Sequence, residues 1–283
     1  MGQRGTRRSP AQGTARSAAR IECIGLTKRF LTPKGQPFTA IQDVTLTVEP
    51  GEFCAIVGPT GCGKSTTLGQ VSGLERPSAG SVRVGGQQVR GITDGVSFMF
   101  QSDALFPWKT VLGNVMVGPT LGGTSRKIAI ARARDWLRRV GLAGFEDRYP
   151  HQLSGGMRKR VAMAAALINE PTMLLMDEPF GALDVQTKAI MQTELLGLWE
   201  QQRPSVLFIT HDLDEAVALA DRVLIMTSSP GSIKHSFDID LPRPRGEVQE
   251  IRHTPRFLEL QHQIWTALKE EVQRAYAKTT NAT

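Results

Sequence analysis

Three clusters of residues in this 283-residue chain have the types and spacing needed to handle a polyphosphate. The first, Gly58-Pro59-Thr60-Gly61-Cys62-Gly63-Lys64-Ser65-Thr66, fits the pattern G-x-x-x-x-G-K-S and lies between an apolar run and a helical one. Glycines there let successive backbone N–H groups turn inward on phosphate oxygens, and the start of the following helix favours an anion. Lys64 would reach the β- and γ-phosphates, and Ser65 offers its hydroxyl to Mg²⁺. The second is Asp177-Glu178, directly after the apolar run Met173-Leu174-Leu175-Met176. Carboxylates at that point leave the C-terminal edge of a sheet, where open α/β folds collect ligands. Asp177 suits Mg²⁺, held through water, and Glu178 suits the polarisation of an attacking water. Alone, the pair could simply cap the turn before Pro179; downstream of Lys64 it reads as the other half of a phosphoryl-transfer site. The third is Leu153-Ser154-Gly155-Gly156-Met157, a serine cap and two glycines opening a helix, which is again an anion site.

The elements that must hold these clusters follow from periodicity. Strands are expected at Ile21 to Leu26, Ala40 to Val48, Phe53 to Val57, Ser81 to Val84 and Gly95 to Phe100, with Glu49-Pro50-Gly51-Glu52 turning between the second and third. A helix is predicted from Lys64 to about Val71. Residues 102–167 change to a mainly helical pattern, clearest at Ser125 to Val140 and Gly155 to Ile168, and read as an insertion in an α/β core. The strand-helix rhythm resumes at Met173 to Met176, Val185 to Gln202, Ser205 to Ile209, Leu213 to Ala220 and Arg222 to Met226. Leu241-Pro242-Arg243-Pro244-Arg245-Gly246 marks a boundary, since its prolines continue neither a helix nor a central strand. A terminal helix is expected from Pro255 to Ala277, with Phe257, Leu260, Ile264, Trp265, Leu268 and Val272 near one face. It would pack on its own chain or on a second copy.

Composition narrows the classes. With 40% hydrophobic and 22% charged residues the chain can bury a sizeable core, and no apolar run is long enough to span a membrane. The formal charge is +7, but five arginines fall within residues 1–20, at Arg4, Arg7, Arg8, Arg16 and Arg20, with no acid among them. Residues 1–20 are expected to be a flexible basic tail; they lack the apolar stretch of a secretory signal and the amphipathic face of a transit peptide. The remaining body is only mildly basic, so charge does not call for a nucleic-acid partner, and none is expected. Three cysteines without a C-x-x-C spacing support neither a disulfide framework nor a zinc site and suit a reducing cytosol. The other histidines, His151, His235, His253 and His262, show no ligand spacing.

In order and in type, the motifs between Ile21 and Met226 resemble those of the ATP-binding cassette (ABC) family: the Lys64 loop, Gln101 after Ser97-Phe98-Met99-Phe100, Leu153 to Met157, Asp177-Glu178, Ala182-Leu183-Asp184, and His211 after an apolar strand. The resemblance implies an ATPase with a P-loop NTPase core, an antiparallel β-subdomain and an inserted helical subdomain, over residues 21–243, with a helical extension at 244–283. It implies that Gln101 senses Mg²⁺ and the transport partner, that His211 contacts the γ-phosphate, and that Ser154, Gly155 and Gly156 touch the nucleotide held by the other subunit's Gly58–Ser65 loop. Ala182-Leu183-Asp184 would cross to that subunit. Phe30 matches the aromatic that stacks on adenine, with Phe38 as the competing candidate. Two departures stand out: Met157 replaces the family's usual glutamine, and Ala165 sits where arginine is common.

Within the family, Leu105-Phe106-Pro107-Trp108-Lys109-Thr110-Val111, the LSGGM variant and the Leu241 to Arg245 tail look most like the branch importing nitrate, sulfonates or taurine. That implies a cassette homodimer on the cytoplasmic face of the bacterial inner membrane, bound to integral membrane permease subunits and served by a separate solute-binding protein. The apolar groups around Phe106 and Trp108 would then form the permease's docking groove, or else the helical insertion's own core. The competing reading is a soluble ABC ATPase of DNA repair or translation, which generally carries two fused cassettes or a coiled-coil insertion; this chain has one cassette and no heptad run.

Overall fold

The computed structural model describes residues 17–181 and 183–280. Its strands are β1 (Ile21–Leu31), β2 (Pro37–Val48), β3 (Phe53–Val57), β4 (Ala79–Val84), β5 (Gln87–Gln88), β6 (Val96–Met99), β7 (Met173–Asp177), β8 (Ser205–Ile209), β9 (Arg222–Met226) and β10 (Ile233–Asp238). Its helices are α1 (Lys64–Val71), α2 (Val111–Val115), α3 (Val117–Leu121), α4 (Arg126–Arg139), α5 (Gly155–Leu167), α6 (Val185–Gln202), α7 (Leu213–Leu219), α8 (Val248–Ile251) and α9 (Pro255–Thr280). The basic tail lies outside the described residues up to position 16, as does Ala182.

Two sheets form. An antiparallel sheet runs β2-β1-β4-β5, and a six-stranded sheet runs β10-β9-β3-β8-β7-β6, parallel except for the antiparallel edge strand β10. The parallel strands are mainly apolar because both faces of the sheet are covered, and the polar Ser97 within β6 donates to the Ala166 carbonyl. Their alternation assigns the two faces. Phe53, Ala55 and Val57 of β3, with Leu174, Met176, Val206 and Phe208, pack under α5, α6 and α9. Cys54 and Ile56, with Met173, Leu175, Leu207 and Ile209, pack with α1 and the antiparallel sheet. Helices α2 to α5 form the expected helical insertion.

The terminal helix docks on its own chain. Phe257, Leu260, Ile264 and Leu268 of α9, and Val248 of α8, join the cluster that holds Phe53 and Trp199. Buried Glu271 anchors the same helix, accepting from the Ser228 N–H at 3.0 Å and pairing with Lys234 and Arg274. Trp265 and Val272, expected on the packed face, are instead 48% and 39% exposed, because the inward stripe is completed by Glu271 rather than by them. The Pro-Arg-Pro-Arg segment is also anchored: Arg243 stacks on Trp199 at 4.5 Å and pairs with Asp221, while Arg245 donates to the Ala218 carbonyl at 2.9 Å. Phe257 is 1% exposed, so Phe257→Ala is expected to cost about 3 to 5 kcal/mol through lost burial and a residual cavity. A denaturant midpoint shift reads this, and an unchanged midpoint would show that α9 contributes nothing to stability.

Candidate functional site

Register decides the site before any side chain is considered. In the parallel sheet Ile56 pairs with Ile209, Asp177 with Ile209, and Met99 with Met176. The segments that follow β3, β8, β7 and β6 therefore leave one edge side by side, carrying in turn the Gly58–Thr66 loop, His211, Glu178 and Gln101. This is the C-terminal edge, where ligands gather in open α/β sheets.

At that edge lies a cleft of about 490 Å³ lined by Thr60, Gly61, Gly63, Lys64, Ser65, Thr66, Gln101, Glu178 and His211, with Phe30, Phe38 and Ala40 at its side. Gly63 caps α1 with φ 99°, and a Cβ there would come within 2.2 Å of Ile41 Cγ2, so only glycine admits this turn. Lys64 is buried, its Nζ donating to the carbonyls of Gly58 at 2.8 Å and Pro59 at 3.0 Å. The ammonium is thus held at the centre of the loop. Cys62 lies beneath it, and burial pushes its thiol up, the opposite of what a redox-reactive thiolate needs.

Ser65 Oγ donates to Asp177 Oδ1 at 3.0 Å, joining the first helix to the end of β7. Burial, aided by the Glu178 charge, raises the Asp177 carboxyl above its usual range against the opposing pull of the Ser65 hydroxyl. A hydroxyl and a carboxylate, both hard oxygen donors, are what Mg²⁺ selects, and a cation there would offset the crowding of two carboxylates. Among the described residues no group of three or more His, Cys, Asp or Glu forms a metal cage.

Glu178 is the meeting point. Its Oε2 lies 3.1 Å from His211 Nδ1 and 3.4 Å from Gln101 Nε2. Its backbone sits at φ +43°, a left-handed conformation that costs a non-glycine residue about 1 kcal/mol. The conformation is fixed by the Glu178 N–H donating to Ile209 O at 2.9 Å and by Gly181 N–H donating back to Glu178 O at 3.2 Å. Phe180, fully buried beside Phe208, pins the turn from below.

Phe30 and Phe38 are direct partners across β1 and β2, and both line the cleft. The competition between them dissolves into one aromatic wall; Lys28 Nζ lies 5.1 Å from the centre of the Phe30 ring.

Ser154, Gly155 and Gly156 do not line this cleft. Ser154 caps α5, its Oγ accepting from Met157 N–H at 3.3 Å, and both Ser154 and Gly155 are exposed. Gly156 is pressed against α6: a Cβ would fall 2.7 Å from Thr187 Cγ2. Asp184 caps α6 beside it, accepting from Thr187 N–H at 3.0 Å, and Leu183 packs on the core, while Ala182 lies outside the described residues. Met157 turns inward against the main core, so packing accounts for an apolar residue there. Sequence reading missed Lys159 and Asp103, a buried cation and its acid that hold the Gln101 segment to α5.

A family model described as ABC transporter matches residues 41–181. The uncharacterized ABC transporter ATP-binding protein MJ0412 of Methanocaldococcus jannaschii is 44% identical over 257 residues, which is 91% of this chain and 94% of that protein. The nitrate import ATP-binding protein NrtD of a Synechocystis strain is 41% identical over 253 residues, 88% of this chain and 95% of NrtD. Among solved structures, a dimeric post-hydrolysis state of the ATP-binding cassette MJ0796, bound to ADP and Pi, superposes with a TM-score of 0.69 at 29% identity, covering 78% of this chain and all of that one.

Proposed function

Because the chain belongs to the ABC transporter family, we propose that it is the ATP-hydrolysing subunit of an importer for a small solute such as nitrate, a sulfonate or taurine. It acts as a pair of cassettes on membrane-embedded permease subunits. The similarity to NrtD supports the import reading, and the ADP-bound relative supports hydrolysis in a dimer. No described helix is long and apolar enough to cross a membrane, so attachment falls to the partner subunits. The finer setting is the cytoplasmic face of a bacterial inner membrane, with a separate solute-binding protein delivering the solute.

The observation that carries the reading is the convergence of Gln101 and His211 on one Glu178 oxygen at the mouth of the Lys64–Ser65 cradle. The Gly58–Thr66 loop holds the phosphates of ATP, with Lys64 leaving its own loop's carbonyls for the β- and γ-oxygens. Ser65, Asp177 and Gln101 would hold Mg²⁺, which when bound neutralises charge on the transferred group. Glu178 orients water in line and accepts its proton, while His211 and Gln101 fix that carboxylate and face the γ-phosphate. Phe30, with Phe38 beside it, stacks on the base. Catalysis is positioning and charge stabilisation, with no covalent intermediate. Ser154, Gly155 and Gly156 do not line this cleft and complete the partner's.

Affinity capture of the full chain from its native membranes tests the transport assignment. Multi-span membrane proteins should copurify, and their presence should change the ATPase rate. Isolation only as a soluble, monodisperse complex would defeat it.

A further inference from the structure

A single line of contacts joins the Ser154 turn to Gln101. Lys159, in the first turns of α5, is 4% exposed. Its Nζ donates to the Gln101 carbonyl at 2.7 Å and the Phe100 carbonyl at 3.4 Å, and lies 3.3 Å from Asp103 Oδ1. Arg158 Nε pairs with the other Asp103 oxygen at 2.8 Å, and its Nη1 donates to the carbonyl of Leu153 at 2.8 Å. Gln101 then reaches Glu178. A buried ammonium is costly unless fully paired, and this one finds every partner within residues 100–103.

Close packing does not hold that segment. Phe98, Phe100, Asp103 and Ala104 face α5 across a cavity of about 270 Å³, on the side where Ala162 and Ala165 offer only methyl groups. Phe100 is itself 43% exposed. The polar clamp, rather than bulk, therefore sets where Gln101 stands relative to α5. The same helix begins at Gly155, so the clamp gives its first turn a direct chain of contacts to Gln101.

We propose that Lys159 and Arg158, acting through Asp103, are positioning residues that tie the two ATP sites of the pair together. Engagement of the Ser154 turn by the partner's nucleotide sets Gln101 against Glu178 in this chain's own cleft, so the sites fire in concert. The inference rests on the proposed pairing, in which Ser154 to Gly156 complete the partner's site.

Lys159→Met keeps the length and apolar stem while removing the ammonium; Lys159→Arg keeps the charge. For the full chain, Lys159→Met should lower kcat about tenfold, leave KM for ATP within about twofold, and reduce the Hill coefficient for ATP toward about 1. Lys159→Arg should restore most of the rate and the cooperativity. Combined with Glu178→Gln, Lys159→Met should still pair on ATP addition by light scattering, and its melting temperature should stay near that of the native chain. An unchanged kcat and Hill coefficient would overturn the proposal. So would a loss of rate that merely follows weakened ATP binding or melting. Failure of Glu178→Gln alone to pair with ATP would instead bring down the two-cassette reading itself.

Discussion

Glu178→Gln should lower kcat for ATP about a thousandfold while turning ATP-dependent pairing from transient to isolable, the loss expected when a general base is removed and binding is kept. The amide is isosteric and keeps the side chain within reach of His211 and Gln101, so the geometry around Oε2 survives the exchange. What disappears is the ability to take a proton from water. Removing one negative charge beside Asp177 also eases the approach of a triphosphate, so binding should hold or tighten. Steady-state phosphate release and light scattering with ATP read the two effects. A rate within tenfold of the native chain would remove the base role from Glu178.

The second large effect separates the two halves of the site. Lys64→Ala empties the glycine-rich loop of its cation, and Gly155→Asp plants a carboxylate at the exposed helix start proposed to meet the partner's nucleotide. Unlike Gly156, Gly155 has open space: a Cβ would meet nothing nearer than Arg158 Nη2 at 3.8 Å, so the substitution should fold normally. Each protein alone should lose about 99% of its activity, since charge stabilisation in the transition state is gone. In an equal mixture about half the dimers pair unlike chains, and each then holds one complete site of two, a ceiling of about a quarter of native activity. Because that site's own chain presents its Ser154 turn to an emptied loop, the coupling inferred above holds recovery well below that ceiling but above either protein alone. A mixture no more active than its separate components would show that the Ser154 turn does not complete a partner's site.

What could be read in advance follows the range of the interactions. Strands β3, β8 and β9 and helices α1 and α6 fall at the residues expected, because each strand is built on a buried apolar run, α1 opens directly from the glycine-rich loop and α6 opens on the Asp184 cap. Strand β10 escaped notice: as an edge strand carrying Lys234, His235 and Ser236 it has no buried run to announce it. The polar end of β1, Thr27 to Arg29, hid five further residues that carry Phe30 to the cleft. Lys64, Asp177, Glu178 and His211 were legible because each sits at a fixed offset from its own strand. Arg158 and Lys159 were not, since their meaning depends on a loop 55 and 58 residues away. The choice between Phe30 and Phe38 was likewise open until cross-strand register put both on one wall.

The pairing of Asp177 with Ile209 has an evolutionary consequence. The reach from Glu178 to His211 is set by counting residues along two strands, and one added residue in either would send its carboxylate or imidazole to the opposite face of the sheet. Lineages can therefore lengthen the exposed turn at Gly122 and Gly123, whereas β7 and β8 admit substitutions but no change in length, and the segment after Met226 is held in place by Ser228 on Glu271 and by Gly231 on Ala40 and Gln42.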